Sequence, residues 1–137
     1  MLRIVSGAVA GLLAAFAAIM AIEYVGHAIY PLPADAALRD PEAPVDALSM
    51  PLPVLLIVVF AWFAGALIGG AVAKRINGRW WSPWLVAGMV ALGGILAVTM
   101  MPHPTWMQIA AVAAPLLGGL FASHAVWGDR RATDGAL

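Results

Sequence analysis

Glu23, His27 and His103 are the residues of this sequence whose types could do chemistry together. One carboxylate and two imidazoles suit a divalent transition metal such as zinc, and equally a proton relay that titrates near neutral pH. Glu23 and His27 stand four residues apart, which on a helix puts one above the other on the same face. Glu23 is also the one acid in an apolar run, and an intramembrane carboxylate is expensive enough to count as a functional hypothesis. Its depth tempers the idea. It stands 19 residues beyond Ile4, about 28 Å along a helix, close to the boundary of a hydrocarbon core roughly 30 Å thick. The structural alternative is a Glu23–His27 hydrogen bond that anchors the helix end at headgroup level, where polar side chains reach water readily. His103 joins the pair only if the short turn that carries it packs over the same end.

Other chemistry is sparse. The chain has no cysteine, which removes disulfides, thiolate metal sites and cysteine nucleophiles. It lacks the glycine-rich phosphate loop, the dinucleotide fingerprint and the paired histidines of zinc proteases. His124 lies 19 residues past Thr105 and so at the opposite end of its helix from His103; adjacent Ser123 and His124 point about 100° apart, a poor nucleophile and base pair. His124 is expected in an interfacial or interhelical hydrogen bond. The seven methionines are scattered and read as packing rather than as a copper cluster. No catalytic residue and no bound cofactor is expected, apart from the divalent metal that Glu23, His27 and His103 could hold.

The elements that position these residues are set by composition. Of 137 residues, 64% are hydrophobic and 10% charged, against about 45 to 50% and 25% in a soluble domain. A short chain encloses little interior, so the excess apolar surface must face lipid. Uncharged runs predict four transmembrane helices at about 4–28, 51–73, 83–101 and 105–127, an all-α, integral membrane four-helix bundle in a single domain. The first run resembles a signal peptide in having Arg3 ahead of it and Ala15, Ala17 and Ala18 within it, but it exceeds a typical h-region and is read as a retained span.

Charge placement orients the bundle. The connection at 74–82 carries Lys74, Arg75 and Arg79 without an acid, which predicts a cytoplasmic loop. The acidic connection at 31–50 then lies outside, and Asp40-Pro41-Glu42 within it reads either as the start of a short surface helix or as plain solvated loop. Arg3, Arg130 and Arg131, the last two in the tail at 128–137, fall inside, so both termini are expected in the cytoplasm. Trp80, Trp81, Trp84 and Trp127 at one side and Tyr30 and Trp106 at the other suit interfacial belts. The compact, alanine-rich chain reads as bacterial, which would place it in the inner membrane. The formal net charge is zero, and nothing recruits nucleic acid.

Small residues recur at interface spacing: Gly7 and Gly11, Gly65 and Gly69, Gly88, Gly93 and Gly94, Gly118 and Gly119. In lipid such positions let backbones approach closely, within this chain or against a partner. Pro115 should remove a hydrogen bond from the fourth helix and kink it. Trp62 is expected to fill space between helices or to face lipid. Met50-Pro51-Leu52-Pro53 against Met101-Pro102-His103-Pro104, and Leu67-Ile68-Gly69-Gly70 against Leu116-Leu117-Gly118-Gly119, suggest two tandem hairpins.

Two functions fit this inventory. In the first, the chain is a non-catalytic accessory, scaffold or assembly component that packs against itself or a larger membrane complex. In the second, it is a minimal homo-oligomeric transporter or channel that moves a proton or divalent cation through Glu23 and His27. Few polar residues are available to line an aqueous path, which weighs against a wide pore.

Overall fold

The computed structural model describes residues 2–31 and 50–125. Most of the expected outer loop, with Asp40 to Glu42, and the tail beyond residue 125 lie outside the described residues. Four helices make up the fold: α1 (Leu2–Ile29), α2 (Leu52–Asn77), α3 (Ser82–Met100) and α4 (Thr105–His124). All four are long and apolar enough to cross a membrane; even α3, with 19 residues, reaches about 28 Å. No strand occurs among the described residues.

Proline marks three of the four starts. Pro51 and Pro104 cap α2 and α4 with nearly the same backbone angles, φ −57° and ψ 139° against φ −55° and ψ 144°. Pro53 and Pro83 stand in first turns, where a missing N–H costs nothing. Gly78 ends α2: it adopts φ 70°, and its N–H donates to the Lys74 carbonyl at 2.8 Å. The helix therefore runs further than the expected span. Lys74 and Arg75, expected in a loop, occupy its last turn, where positive charge complements the negative end of the helix dipole.

The helices alternate in direction, and α2 is the hub. It packs most extensively on α1, then on α4, and also on α3; α3 and α4 pack on each other, while α1 meets α3 only slightly. The α1–α2 contact runs antiparallel in four-residue steps. Gly7 faces Ala73 and Asn77, Gly11 faces Gly69 and Ala73, and Ala15 and Ile19 face Gly65. At the crossing point the backbones nearly touch: a methyl group on Gly11 would lie 2.7 Å from the Gly69 carbonyl oxygen, and one on Gly69 would collide with the Gly11 carbonyl.

Adjacent glycines serve different neighbours because they point about 100° apart around the helix. Gly69 meets α1, whereas Gly70 meets Ala122 of α4 and Pro83 of α3. Gly118 likewise seats on the Phe63 carbonyl of α2, and Gly119 on Ala87 of α3. Phe63 and Phe121 close the α2–α4 seam edge to face, with ring centroids 6.0 Å apart. Pro115 sits inside an uninterrupted helix. Lacking an N–H, it leaves the Ala111 carbonyl without its usual partner, and Gly94 of α3 packs there; a methyl on Gly94 would stand 3.0 Å from that oxygen. Gly88 and Gly93 are expected at an interface with Gly94, yet a methyl group on either would meet no atom within 4 Å. They lie on other faces of α3.

Large apolar side chains, among them Leu13, Phe60, Leu96, Ile109 and Phe121, cover the outside of the bundle, as lipid requires. The interior is made of small residues: Ala61, Ala66, Ala73, Ala87, Ala111 and Ala122 are fully buried. Such an interior tolerates additions poorly. Gly69→Ala should destabilise the fold by about 1 to 3 kcal/mol through overpacking, while Gly93→Ala should be neutral or stabilise by a few tenths through helix propensity. Thermal unfolding of both variants in one detergent checks the contrast.

Candidate functional site

Glu23 and His27 stand in the last two turns of α1, and His103 in the turn between α3 and α4. Alternating helix directions bring all three to the same end of the bundle. They are not drawn together there. α1 is held by α2 and has at most marginal contact with α4, so nothing pulls the α3–α4 turn onto the end of α1. Among the described residues no group of three His, Asp or Glu side chains could hold a metal ion.

Each histidine instead binds its own backbone. His27 Nδ1 donates to the Glu23 carbonyl oxygen at 2.7 Å, and His103 Nδ1 donates to the Met101 carbonyl at 2.7 Å. Carbonyl oxygens only accept, so in the neutral rings the proton is on Nδ1 and Nε2 is left as an acceptor. The Glu23–His27 link thus runs through the main chain of Glu23 rather than its carboxylate. Gln108 Nε2 donates to the His103 carbonyl at 3.1 Å, which ties the α3–α4 turn to the first turn of α4. Glu23 itself is partly buried on α1.

His124 and Ser123 also fold back on their own helix. His124 Nδ1 donates to the Leu120 carbonyl at 2.9 Å, and Ser123 Oγ donates to the same oxygen at 2.7 Å. Although Ser123 Oγ and His124 Nδ1 are 3.2 Å apart, a nitrogen that carries its proton toward Leu120 cannot take one from serine. The hydrogen bond of His124 is intrahelical, not the interhelical one expected.

The basic end holds the polar contacts that cross between elements. Lys74 Nζ donates to the Ser123 carbonyl at 2.6 Å and to the Ala125 carbonyl at 3.1 Å. A lysine of α2 thereby caps the C-terminus of α4, where orphan carbonyls and the dipole favour a cation. In the α2–α3 turn, Asn77 Oδ1 accepts from the Arg79 N–H at 3.0 Å and from Ser82 Oγ at 2.8 Å. Ser82 is buried, and its hydroxyl also lies 2.6 Å from the Arg79 carbonyl. Asn77 Nδ2 is buried against α1 with no hydrogen-bond partner among the described residues. Sequence reasoning misses Lys74, Asn77 and Ser82 in these roles. A lysine in a last helical turn is the one available signal, since main-chain carbonyls on another helix leave no trace in residue types.

One opening lies in the apolar midsection. α1 and α3 diverge around a cleft of about 460 Å³. Val9, Leu13 and Phe16 of α1 form one wall, Met89 and Gly93 of α3 the other, and Trp62 of α2 lines the space between. Trp62 is 6% exposed, so it fills the junction of three helices and still contributes to the cleft. No polar side chain lines it.

Comparison with family models, with curated proteins and with solved structures finds no match to this chain.

Replacing Lys74 by Met keeps its length and removes the cap, leaving the Ser123 and Ala125 carbonyls unserved. A loss of about 2 kcal/mol is expected for a charged hydrogen bond. Lys74→Arg, which can still donate, should lose less; thermal unfolding of the two variants measures the difference.

Proposed function

We propose that this chain is a non-catalytic component of a larger membrane assembly, and that the cleft between α1 and α3 receives a transmembrane helix of a partner subunit. The carrying observation is the division of labour among the small residues. Gly7, Gly11, Gly65, Gly69, Gly118 and Gly119 are all consumed by contacts inside the chain, whereas Gly93 borders an open apolar cleft with nothing packed on it. A backbone exposed at a glycine is what a membrane helix needs for close approach, because lipid supplies no hydrophobic force to press helices together. Phe16 and Met89 offer an aromatic and a flexible thioether to the same partner. In this reading the basic end of the bundle faces the cytoplasm of a bacterium, with both termini inside and the Glu23, His27 and His103 end toward the periplasm. The three polar residues then serve as helix-end anchors.

Native mass spectrometry of the protein extracted from its own membrane in mild detergent tests the proposal. A partner at fixed ratio is expected, lost in Gly93→Phe and kept in Ile109→Phe on an outward face of α4. Isolated chains in every preparation would overturn it. A homo-oligomer with a divalent metal that disappears in Glu23→Gln would favour the transport reading of Glu23 and His27 instead.

A further inference from the structure

Gly7 of α1 packs on Asn77 at the end of α2; a methyl group on Gly7 would lie 3.1 Å from Asn77 Nδ2. That contact brings the first turns of α1 against the α2–α3 turn. Arg3 stands four residues before Gly7, one turn earlier on the same face of α1, which puts it at the same end of the bundle as Arg79. Both arginines are exposed. Arg79 has one contact through its main chain and one through its side chain. Its N–H is bound by Asn77 Oδ1 at 3.0 Å, and its guanidinium lies 5.9 Å from the centroid of the Trp81 ring.

The charge at this end is one-sided among the described residues. Glu23, the sole acid among them, stands at the other end of α1. Lys74 is committed to the α4 carbonyls and Arg75 has its own partner, which leaves Arg3 and Arg79 to face outward. Their depth identifies what they face. They sit at the ends of membrane-crossing helices, next to Trp80, which is 73% exposed, and an amphipathic indole at a helix end marks the headgroup layer. The anions present at that depth are lipid phosphates.

We propose that Arg3 and Arg79, with Trp80 and Trp81, form a binding site for the headgroup of an anionic phospholipid. Guanidinium groups match phosphate oxygens in pairs, and the hydrogen-bonded Asn77–Ser82 turn carries one of them. The site is separate from the α1–α3 cleft and does not depend on what fills it.

The full chain in mild detergent, offered an equal mixture of phosphatidylglycerol and phosphatidylcholine, is read by native mass spectrometry as the ratio of the two bound lipids. Preference for phosphatidylglycerol is expected, falling about fivefold for Arg3→Gln and about fivefold for Arg79→Gln, and unchanged in His103→Gln at the opposite end. The wild-type preference should also shrink as salt is raised, a readout that needs no variant. Equal binding of the two lipids by the wild type would overturn the proposal. So would a preference that survives intact in the double variant, because the anion would then be held elsewhere.

Discussion

Everything in this structure depends on how closely α1 and α2 can approach at Gly11 and Gly69. Water presses apolar surfaces together, but lipid does not, and helices in a bilayer are held by dispersion contacts between surfaces that fit. The fit here is backbone on backbone. Each glycine occupies the space in which the other's side chain would stand, and the four-residue steps from Gly7 to Ile19 repeat that approach along the seam. A single added carbon at the crossing runs into the facing backbone, so the tolerance of the seam is set by its tightest point.

The hub position of α2 follows from the same economy of volume. It carries small residues on more than one face, with Gly65 and Gly69 toward α1, and Ala66 and Gly70 toward α4 and α3. Three neighbours can therefore reach it at close range. α1 buries only one such face, made of Gly7, Gly11, Ala15 and Gly26, and it is attached chiefly through α2. The open cleft beside Trp62 is the geometric consequence: α1 and α3 both lean on α2 but diverge from each other. Polar groups enter where the chain leaves the apolar layer. Lys74 locks the end of α4, and Asn77 with Ser82 locks the α2–α3 turn, so that the basic end is firm while the cleft stays unfilled.

Much of this is legible in residue types and spacing. Four long uncharged runs are enough to identify four helices able to cross a membrane, because length and apolarity are what a bilayer demands. Helix packing through Gly7, Gly11, Gly65, Gly69, Gly118 and Gly119 is equally visible as spacing. Which neighbour each glycine meets is not, since the two members of Gly69-Gly70 look alike in sequence and face different helices. Gly93 and Gly94 show the same limit, one bordering the cleft and the other pressed on the Ala111 carbonyl that Pro115 leaves unpaired. The end of α2 falls beyond its expected place because Lys74 and Arg75 read as loop by their charge, although Gly78 marks the stop. The gathering of His103 with Glu23 and His27 depends on contact between α1 and α4, a tertiary matter with no local signature.

The central claim is that the cleft between α1 and α3 is occupied by a helix of another subunit rather than by lipid. The absence of cysteine in the chain makes single-cysteine cross-linking in the native membrane a direct test, with a thiol-anchored photoreactive probe placed in turn at Phe16→Cys, Gly93→Cys and Ile109→Cys. One protein adduct of defined mass at Phe16→Cys and Gly93→Cys, and only lipid adducts at Ile109→Cys, is the expected result. Lipid adducts alone at all three positions would contradict the account.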